Sequence, residues 1–428
     1  MAAYGAASTF SKAGESKQVV LLEKMPRPAR KIMITGKGRC NFTNLKSWND
    51  FQGHIRSKAN FVKPSFFNLN PQALVDFFES NGMPAVVERG DRAFPSSYHA
   101  SDVVDTLVRA AQGEGVKILT GWEVSEIMRT DTGFEVNSVD GQTVTCSSVI
   151  VATGGLSYPT TGSTGDGYRW AENLGHKIVP TFPSLTALVP KGYKDSADKG
   201  HIDRSTPLSE AGKLLCGIQL KNVGIKAEID GFVAEDEFGD IDFTDGGMEG
   251  PIGFQISRKC VKSMVNGSKV NVFVDLKPGV PEDELHDRIK FLWDQVQRDP
   301  RSSRISVKEQ YRVLLGKLMP WDLIPSFRSS IPVVDNKHTH IDFRLLAKTL
   351  KAWKFEIAGF VGYERAVVTA GGVSTDEVLP KTMESRLVPG LFFCGEVLDT
   401  DCDTGGYNLQ TSFCSGLLAG QSAARKLL

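Results

Sequence analysis

Three short apolar runs, each ending at glycine or a carboxylate, constrain the fold of this chain more than any other feature. Residues 19–22 read VVLL and precede Glu23, residues 149–152 read VIVA and precede TGG, and residues 390–395 read GLFFCG and precede Glu396. Short, continuously apolar runs are typical of strands buried on both faces, as in a parallel sheet. The sequence therefore predicts an α/β fold, in which ligands bind beyond the carboxyl ends of the strands.

Helices are predicted between and after these strands. The clearest follows Asn70, because asparagine is a good N-cap, Pro71 suits the first helical position and Gly82 suits the position beyond the end. We expect a second helix over 101–112, capped by Ser101. Residues 2–13 and 407–427 are also predicted to be helical.

The order of elements at the start of the chain is helix, strand and acidic residue. This is the second half of a βαβ unit, whose first half is a strand that runs into a glycine-rich turn. Residues 1–23 contain neither. We therefore expect that the first strand and its GxGxxG turn are missing.

The middle of the chain differs from its two ends. Strand-like segments at 217–229 and 270–275 are followed by charged helical segments at 281–297 and 305–318. We expect an inserted domain over 190–355. The first and last parts, 1–189 and 356–428, then form one domain.

Composition excludes several classes of protein. Lys and Arg number 50, as do Asp and Glu, and this balance argues against a nucleic-acid partner. No run is long and apolar enough for a membrane span. The seven cysteines are scattered without a CxxC, which argues against a disulfide framework or a metal site and favours a reducing, cytoplasmic setting. His338 and His340, two residues apart, are weak evidence for a metal.

The strongest candidate site is at the C-terminal end of the sequence. Gly395, Glu396 and Asp399 follow a predicted strand, and a glycine pair then precedes Tyr407, Asn408 and Leu409 in the last helix. A helix N-terminus offers unpaired N–H groups and partial positive charge, which can stabilise an electron-rich carbonyl. Glu396 can accept hydrogen bonds from polyol hydroxyls. The alternative is a plain βα turn with a solvated glutamate.

Three weaker candidates lie elsewhere. Glu23 stands where a dinucleotide ribose is commonly bound, or it is an ordinary residue at a strand end. The loop around Gly36, Gly38 and Arg39 can approach a phosphate closely, or it is a surface turn with stray cations. The third is the glycine-rich stretch 153–167, which binds a ligand or is a structural loop. Cys40 and Cys402 form a conceivable redox pair, but most free cysteines are buried small hydrophobes.

Several long motifs carry a family resemblance. They are KIMITGKGRCNFTN at 31–44, RAFPSS at 92–97, VATGGLSYPTTGSTGDGY at 151–168, VVTAGGVS at 367–374, PKTMESRLVPGLFFCGEVLD at 380–399 and TGGYNLQTSFCSGLLAG at 404–420. With these motifs the chain resembles the BaiN/YhiN-like family of NAD(P)/FAD-dependent oxidoreductases. The resemblance implies a Rossmann-like FAD-binding domain of the glutathione reductase/fumarate reductase flavoprotein type. It also implies an inserted β-barrel-like and helical domain.

The resemblance also implies a set of FAD-binding residues. Glu23 would hold the adenosine ribose, the strand at Val124 would meet the adenine, and Thr153, Gly154 and Gly155 would pass near the adenosine half. The residues expected at the pyrophosphate and flavin are Lys31, Gly36, Gly38, Arg39, Cys40 and Asn41. Those expected at the ribityl and pyrophosphate region are Gly395, Glu396 and Asp399, and those at the N1/C2 edge of the flavin are Gly406, Tyr407, Asn408 and Leu409.

The implied function is an FAD-dependent oxidoreductase that moves hydride through flavin N5 to or from a small organic substrate, an enone among the candidates. No second GxGxxG follows a strand, so the sequence does not indicate stable binding of NAD(P)H. NAD(P)H is therefore a candidate only as a transiently bound electron donor. The sequence does not specify the oligomeric state. It does not identify the catalytic acid or base either, although Tyr158, Arg39 and Tyr407 are candidates for that role by location. One rival is a shortened, flavin-free, non-catalytic binding protein. Another is a flavoprotein that modifies tRNA, which the balanced charge does not favour.

Overall fold

The chain folds into two compact units. The computed structural model describes residues 1–197, 199–331 and 341–428. The first unit comprises Met1–Pro183 and Val367–Leu428, and the second comprises Ser184–Ala366. The expected boundaries at 190 and 355 lie inside the second unit. His338 and His340 lie outside the described residues.

The described residues contain both α-helices and β-strands. The helices are α1 (Ala2–Lys12), α2 (Arg30–Met33), α3 (Trp48–Phe51), α4 (Ala59–Asn68), α5 (Pro71–Ser80), α6 (Ala100–Gly113), α7 (Asp166–Asn173), α8 (Glu210–Leu215), α9 (Gly250–Val265), α10 (Glu282–Arg298), α11 (Val307–Leu318), α12 (Ile324–Ser329), α13 (Phe343–Lys351) and α14 (Tyr407–Leu427). The strands are β1 (Val20–Glu23), β2 (Thr43–Asn44), β3 (Ala85–Glu88), β4 (Arg92–Pro95), β5 (Lys117–Thr120), β6 (Val124–Arg129), β7 (Phe134–Ser138), β8 (Thr143–Cys146), β9 (Val149–Val151), β10 (Ile178–Ser184), β11 (Leu188–Pro190), β12 (Gly200–Ile202), β13 (Gln219–Ile229), β14 (Phe232–Thr244), β15 (Gly247–Glu249), β16 (Val270–Asp275), β17 (Trp353–Val361), β18 (Val368–Val373) and β19 (Leu391–Phe393).

The three apolar runs form parallel strands in the first unit, which confirms the predicted α/β class. β1 pairs in parallel with β5, so that Leu22 lies opposite Leu119. β9 pairs in parallel with β19, whose three residues are fully buried. The strands β6, β7 and β8 form an antiparallel meander, and β2, β4 and β3 form another small sheet.

The last helix is the core element of the first unit. α1 packs along α14, where a Cβ at Gly420 would overlap the carbonyl oxygen of Ala2. α4 packs on α14 as well. Two clusters of buried apolar side chains include α14 residues, with Leu418 in one and Phe413 in the other. This packing fixes the direction of α14 and therefore the place where its N-terminus lies.

The predicted helix starts are partly right. Asn70 caps α5, since its side-chain oxygen accepts the N–H of Ala73 at 2.9 Å. Ser101 is not a cap, because α6 begins at Ala100 with His99 in the capping position. The Ser101 hydroxyl instead contacts the carboxylate of Asp102.

The second unit contains a closed β-barrel, as the resemblance implied. Six strands close in the order β11, β15, β14, β13, β16 and β17, and β17 pairs again with β11. β12 pairs in parallel with the last residues of β17, where Ile202 lies opposite Val361. In β16, Val270, Val272 and Val274 are buried and alternate with more exposed residues, as expected for a wall with one apolar face. Within the described residues, no helix has the length and apolar character that a bilayer span requires.

Candidate functional site

Glu396 connects three elements of the first unit. It lies in the turn that follows β19, where one carboxylate oxygen accepts the backbone N–H of Thr369 in β18 at 2.7 Å. The other oxygen accepts the Lys31 ammonium of α2 at 2.6 Å. Both side chains are mostly buried, with 23% of Lys31 and 16% of Glu396 exposed. Two residues predicted for the site are thus brought together from opposite ends of the chain.

The loop that contains Gly155 is fixed against β18. The Thr369 hydroxyl accepts the backbone N–H groups of Leu156 at 2.8 Å and Ser157 at 3.1 Å. A Cβ at Gly155 would lie 2.5 Å from that hydroxyl oxygen, so the close approach requires glycine. Thr369 is fully buried and is the anchor of this loop. Thr369 belongs to the motif VVTAGGVS, but nothing in that motif indicates the anchoring role.

The glycine-rich stretch 161–167 lies next to the end of β1. The Lys24 ammonium is 2.6 Å from the Asp166 carboxylate, and a Cβ at Gly162 would crowd the Met25 side chain. Burial would raise the pKa of Asp166, but hydrogen bonds from Lys24 and Thr164 outweigh it and hold that pKa below the usual value. This stretch therefore lies beside the strand that ends at Glu23.

Glu23 itself is held at the end of β1. Its carboxylate accepts the backbone N–H of Met25 at 2.9 Å, and its carbonyl accepts the N–H of Trp122 at 3.0 Å. Burial raises the pKa of Glu23, although the hydrogen bond from Met25 opposes this. A carboxylate that is partly buried despite this desolvation penalty is a candidate acceptor for ligand hydroxyls. Val124, two residues beyond Trp122, begins β6 opposite Ser138.

The loop around Gly36 has an unusual backbone. Gly36 and Gly38 have φ of 55° and 86°, and the non-glycine residues Lys37 and Cys40 also have positive φ, 58° and 55°. Such conformations persist in non-glycine residues only when the surroundings hold them, and they cluster at functional sites. Arg39 in the same loop lies over the rings of Phe94 and Tyr98, and it pairs with Glu88.

The two loop cysteines are unsuited to thiolate chemistry. Cys40 is fully buried, and burial raises the pKa of its thiol to about 11. Burial also raises the pKa of Cys402. Reactive cysteines have the opposite property, a lowered pKa and partial exposure. The structure gives no support to a redox pair of Cys40 and Cys402.

The N-terminus of α14 is built on a glycine that no other residue could replace without strain. Gly406 has φ of 97°, and a Cβ there would lie 2.6 Å from the carbonyl group of Thr43 and 2.8 Å from Oδ1 of Asn41. Gln410 donates its N–H to the carbonyl of Gly406 at 3.1 Å. This is the first hydrogen bond of the helix. The backbone N–H groups before it, those of Tyr407, Asn408 and Leu409, therefore have no acceptor within the helix.

An unsatisfied acceptor lies beside these donors. Oδ1 of Asn41 is buried and has no hydrogen-bond partner. Buried polar atoms are rarely left unpaired, so an unpaired one calls for an explanation such as a missing ligand. The Asn408 side chain, in contrast, is used within the chain, since it contacts the backbone of Cys402 and Asp403. Only its backbone N–H is available to a ligand.

A polar cluster that the sequence did not reveal adjoins the same helix end. The Asp403 carboxylate contacts Nδ1 of His54 at 3.0 Å and accepts two hydrogen bonds from the Arg56 guanidinium. The His54 ring stacks on the Tyr407 ring, with centroids 4.2 Å apart and planes 17° apart. Asp403 lies within three residues of the glycine pair. His54 and Arg56 fall in no recognised motif, and no sequence signal indicated them.

The remaining predicted residues lie near these elements. Gly395 has φ of 74° and donates its N–H to the Ser415 hydroxyl of α14 at 3.0 Å. Asp399 donates its N–H to the carbonyl of Val373 at 3.0 Å. Thr153 and Gly154 follow β9, where Thr153 approaches Gly167 so closely that a side chain at 167 would overlap it. Within the described residues, no group of three or more His, Cys, Asp or Glu is arranged to hold a metal.

Comparisons with known proteins cover almost the whole chain. Residues 2–422 match the family model of the HI0933-like protein Rossmann domain. The chain is 30% identical over 427 residues to the 3-dehydro-bile acid delta(4,6)-reductase of Clostridium scindens, covering 98% of this chain and 96% of that protein. It is 32% identical over 421 residues to the ribosomal RNA dihydrouridine synthase of Escherichia coli, covering 97% of this chain and 95% of that protein.

Solved flavoenzyme structures are similar at a lower level. The open conformation of a flavocytochrome c3 fumarate reductase is 17% identical with a TM-score of 0.43, covering all of this chain and 77% of the other. The 3-ketosteroid-delta4-(5alpha)-dehydrogenase of Rhodococcus jostii is 14% identical with a TM-score of 0.43, covering 99% of this chain and 94% of the other.

Proposed function

The chain belongs to the HI0933-like Rossmann-domain family of flavin-dependent oxidoreductases, and on this basis we propose that it binds FAD and reduces a carbon–carbon double bond conjugated to a carbonyl. We propose a small organic molecule as the substrate, because the charge of the chain is balanced. NAD(P)H is proposed as a transient electron donor.

Two relatives support the type of bond that is reduced. The name of the Clostridium scindens protein specifies reduction of double bonds in a bile acid with a 3-oxo group. The name of the Escherichia coli protein specifies conversion of uridine to dihydrouridine in ribosomal RNA. The substrates differ greatly in size and charge, but in each the reduced bond is conjugated to a carbonyl. This shared chemistry is what we carry over to the chain.

The observation that carries the proposal is the pairing of unused donors and an unused acceptor at the start of α14. The first-turn N–H groups of Tyr407, Asn408 and Leu409 lack intrahelical acceptors. Oδ1 of Asn41 is buried and lacks a donor. The pyrimidine edge of a flavin presents carbonyl oxygens and an N–H, so it complements both. The residues present therefore fit an isoalloxazine at this helix end.

Other residues suit the rest of FAD. The Lys31 ammonium can balance part of the charge of a pyrophosphate. Glu396 and Glu23 can accept hydrogen bonds from ribityl and ribose hydroxyls. The glycines at 154 and 155 allow close approach of the backbone. These roles, together with those of the other residues assigned from the family resemblance, are proposals.

When bound, FAD supplies the hydride chemistry, and the protein supplies binding, orientation and electrostatics. The N-terminus of α14 would stabilise negative charge on the pyrimidine ring of a flavin bound there, because a helix N-terminus carries partial positive charge. We also propose the reducing cytoplasm as the location, because the seven cysteines are scattered along the sequence without a CxxC.

An anaerobic reoxidation experiment tests the proposal. The purified protein is loaded with FAD, its flavin is reduced, and it is mixed with a 3-oxo-4-ene steroid, with cyclohexenone or with a ribosomal RNA transcript. We expect flavin absorbance to return with a conjugated carbonyl compound, but not with the saturated ketone or the isolated alkene used as matched controls. Reoxidation by the RNA alone would contradict a small organic molecule as the substrate, although it would agree with reduction of a bond conjugated to a carbonyl. Loss of all flavin on purification would favour the flavin-free alternative.

A further inference from the structure

We propose that His54 is the proton donor of the reaction and that Asp403 is the residue that positions it. This inference rests on the proposed function. It identifies a catalytic acid that neither the motifs nor the family resemblance supplied.

The imidazole of His54 is fixed by two independent contacts. Its Nδ1 lies 3.0 Å from the Asp403 carboxylate, and its ring stacks on that of Tyr407. An ionised carboxylate only accepts hydrogen bonds, so the proton of the neutral ring belongs on Nδ1. Nε2 is then the atom that gains and loses a proton. This is the arrangement by which a carboxylate orients a catalytic histidine.

The charged groups around the ring favour this role. The Asp403 side chain is only 4% exposed, and Arg56 holds both of its oxygens. Burial raises the pKa of Tyr407, and the nearby carboxylates of Asp403, Asp91 and Asp50 raise it further, so its phenol stays neutral. The ring of His54 therefore contacts the Asp403 carboxylate, which also accepts the Arg56 guanidinium, and the ring of a neutral phenol. About a third of its side chain, 31%, remains exposed, which leaves a route for protons from solvent.

The position of the ring matches the proposed reaction site. Tyr407 is the first residue of α14, whose opening turn is the proposed binding place of the isoalloxazine. His54 stacks directly on this residue. A substrate that lies against the flavin at this helix end would therefore be close to Nε2 of His54.

The segment that carries His54 is held in place by its backbone. The segment at 54–56 is already tied to the segment at 401–403 by backbone hydrogen bonds. Asp403 donates its N–H to the carbonyl of His54 at 2.9 Å, and Arg56 donates its N–H to the carbonyl of Asp401 at 2.9 Å. Ile55 and Cys402 form a β-bridge between them. This backbone pairing does not depend on the imidazole of His54.

The proposed step conserves atoms and charge. The substrate accepts a hydride at the carbon β to its carbonyl, with reduced flavin as the donor, and a C–H bond forms there. The π-electron pair of the double bond moves towards the carbonyl oxygen and leaves an enolate. The Nε2–H bond of protonated His54 breaks, and its proton forms the second C–H bond at the α carbon. Neutral His54 then regains a proton from solvent.

The kinetic test compares His54→Gln and His54→Ala with a matched control. His286→Gln removes another histidine whose Nδ1 faces an aspartate, Asp287, at 3.1 Å, but it lies in the second unit. We expect kcat to fall about 100-fold or more in the His54 variants, the ordinary contribution of a general acid. KM and FAD content should change little, and added imidazole should restore part of the rate of His54→Ala. His286→Gln should match the wild type.

Two further readouts separate catalysis from folding. In deuterated water the wild-type product should carry deuterium on one face of the α carbon, whereas the product of His54→Ala should carry it on both faces. Nitrogen-15 NMR of the wild type, assigned by comparison with His54→Gln, should show neutral His54 protonated on Nδ1.

Each outcome decides a different claim. Undiminished kcat in both His54 variants, or a neutral ring protonated on Nε2, would overturn the role of His54 while the proposed function stands. Failure of the wild type to reduce any conjugated carbonyl would overturn the proposed function, and the role of His54 with it.

Discussion

The substitution Gly406→Ala probes the start of α14 most sharply. The new Cβ would lie 2.6 Å from the carbonyl group of Thr43 and 2.8 Å from Oδ1 of Asn41. Overpacking of this kind costs about 1–3 kcal/mol of unfolding free energy. A left-handed conformation costs a residue with a Cβ a further 1–2 kcal/mol, roughly. We therefore expect a loss of about 2–5 kcal/mol, or a fall in Tm of about 4–20 °C for a unit of this size.

The assay is thermal unfolding of the flavin-free protein, with Gly115→Ala as the control. Gly115 has φ of 84° but nothing within 4 Å of its would-be Cβ, so its substitution carries the conformational cost alone. We expect a fall in Tm of about 2–8 °C there, because only the 1–2 kcal/mol penalty applies. Equal falls in Tm for the two variants would refute the reasoning, since they would show that the close approach of Gly406 to Asn41 and Thr43 is absent.

Three further substitutions test the surrounding site. Thr369→Val leaves the N–H groups of Leu156 and Ser157 without their acceptor, so we expect the unfolding free energy to fall by about 1–3 kcal/mol in chemical denaturation. A change within about 0.5 kcal/mol would contradict the anchoring role. Lys31→Met should weaken FAD binding about tenfold or more in a fluorescence titration; the control, Lys191→Met, removes an exposed ion pair and should leave affinity unchanged. Glu23→Gln should raise Tm at pH 7, because burial places the folded-state pKa above the unfolded value of about 4.3 and the ionised form costs stability at higher pH. That gain should vanish as pH falls below about 4, and a loss of Tm at pH 7 would show that the carboxylate stabilises the fold.

The sequence predicted the elements whose signals are local. The apolar run of β19 is buried as expected, and Asn70 caps α5 with its own side chain. Ser101 failed as a cap because a hydroxyl near a helix start can bond to a neighbouring side chain instead. α4 was missed because it contains Pro64, which ordinarily interrupts a helix.

In the candidate site, the positions that require glycine could be predicted from the sequence. Gly155, Gly395 and Gly406 stand out in the sequence, and each has a backbone or a close contact that requires glycine. The partners of Glu396 could not be predicted, since Lys31 and Thr369 reach it only through the packing of α2 and β18. His54 carries no local signal at all, because its significance comes from a partner that lies 349 residues away along the chain.

Equilibrium titration of the purified chain with FAD, followed by gel filtration, tests the central claim most directly. The account predicts a yellow protein that retains about one FAD per chain, with retention reduced in Gly406→Ala and normal in Gly115→Ala. A colourless wild-type protein that keeps its fold through the column would contradict it.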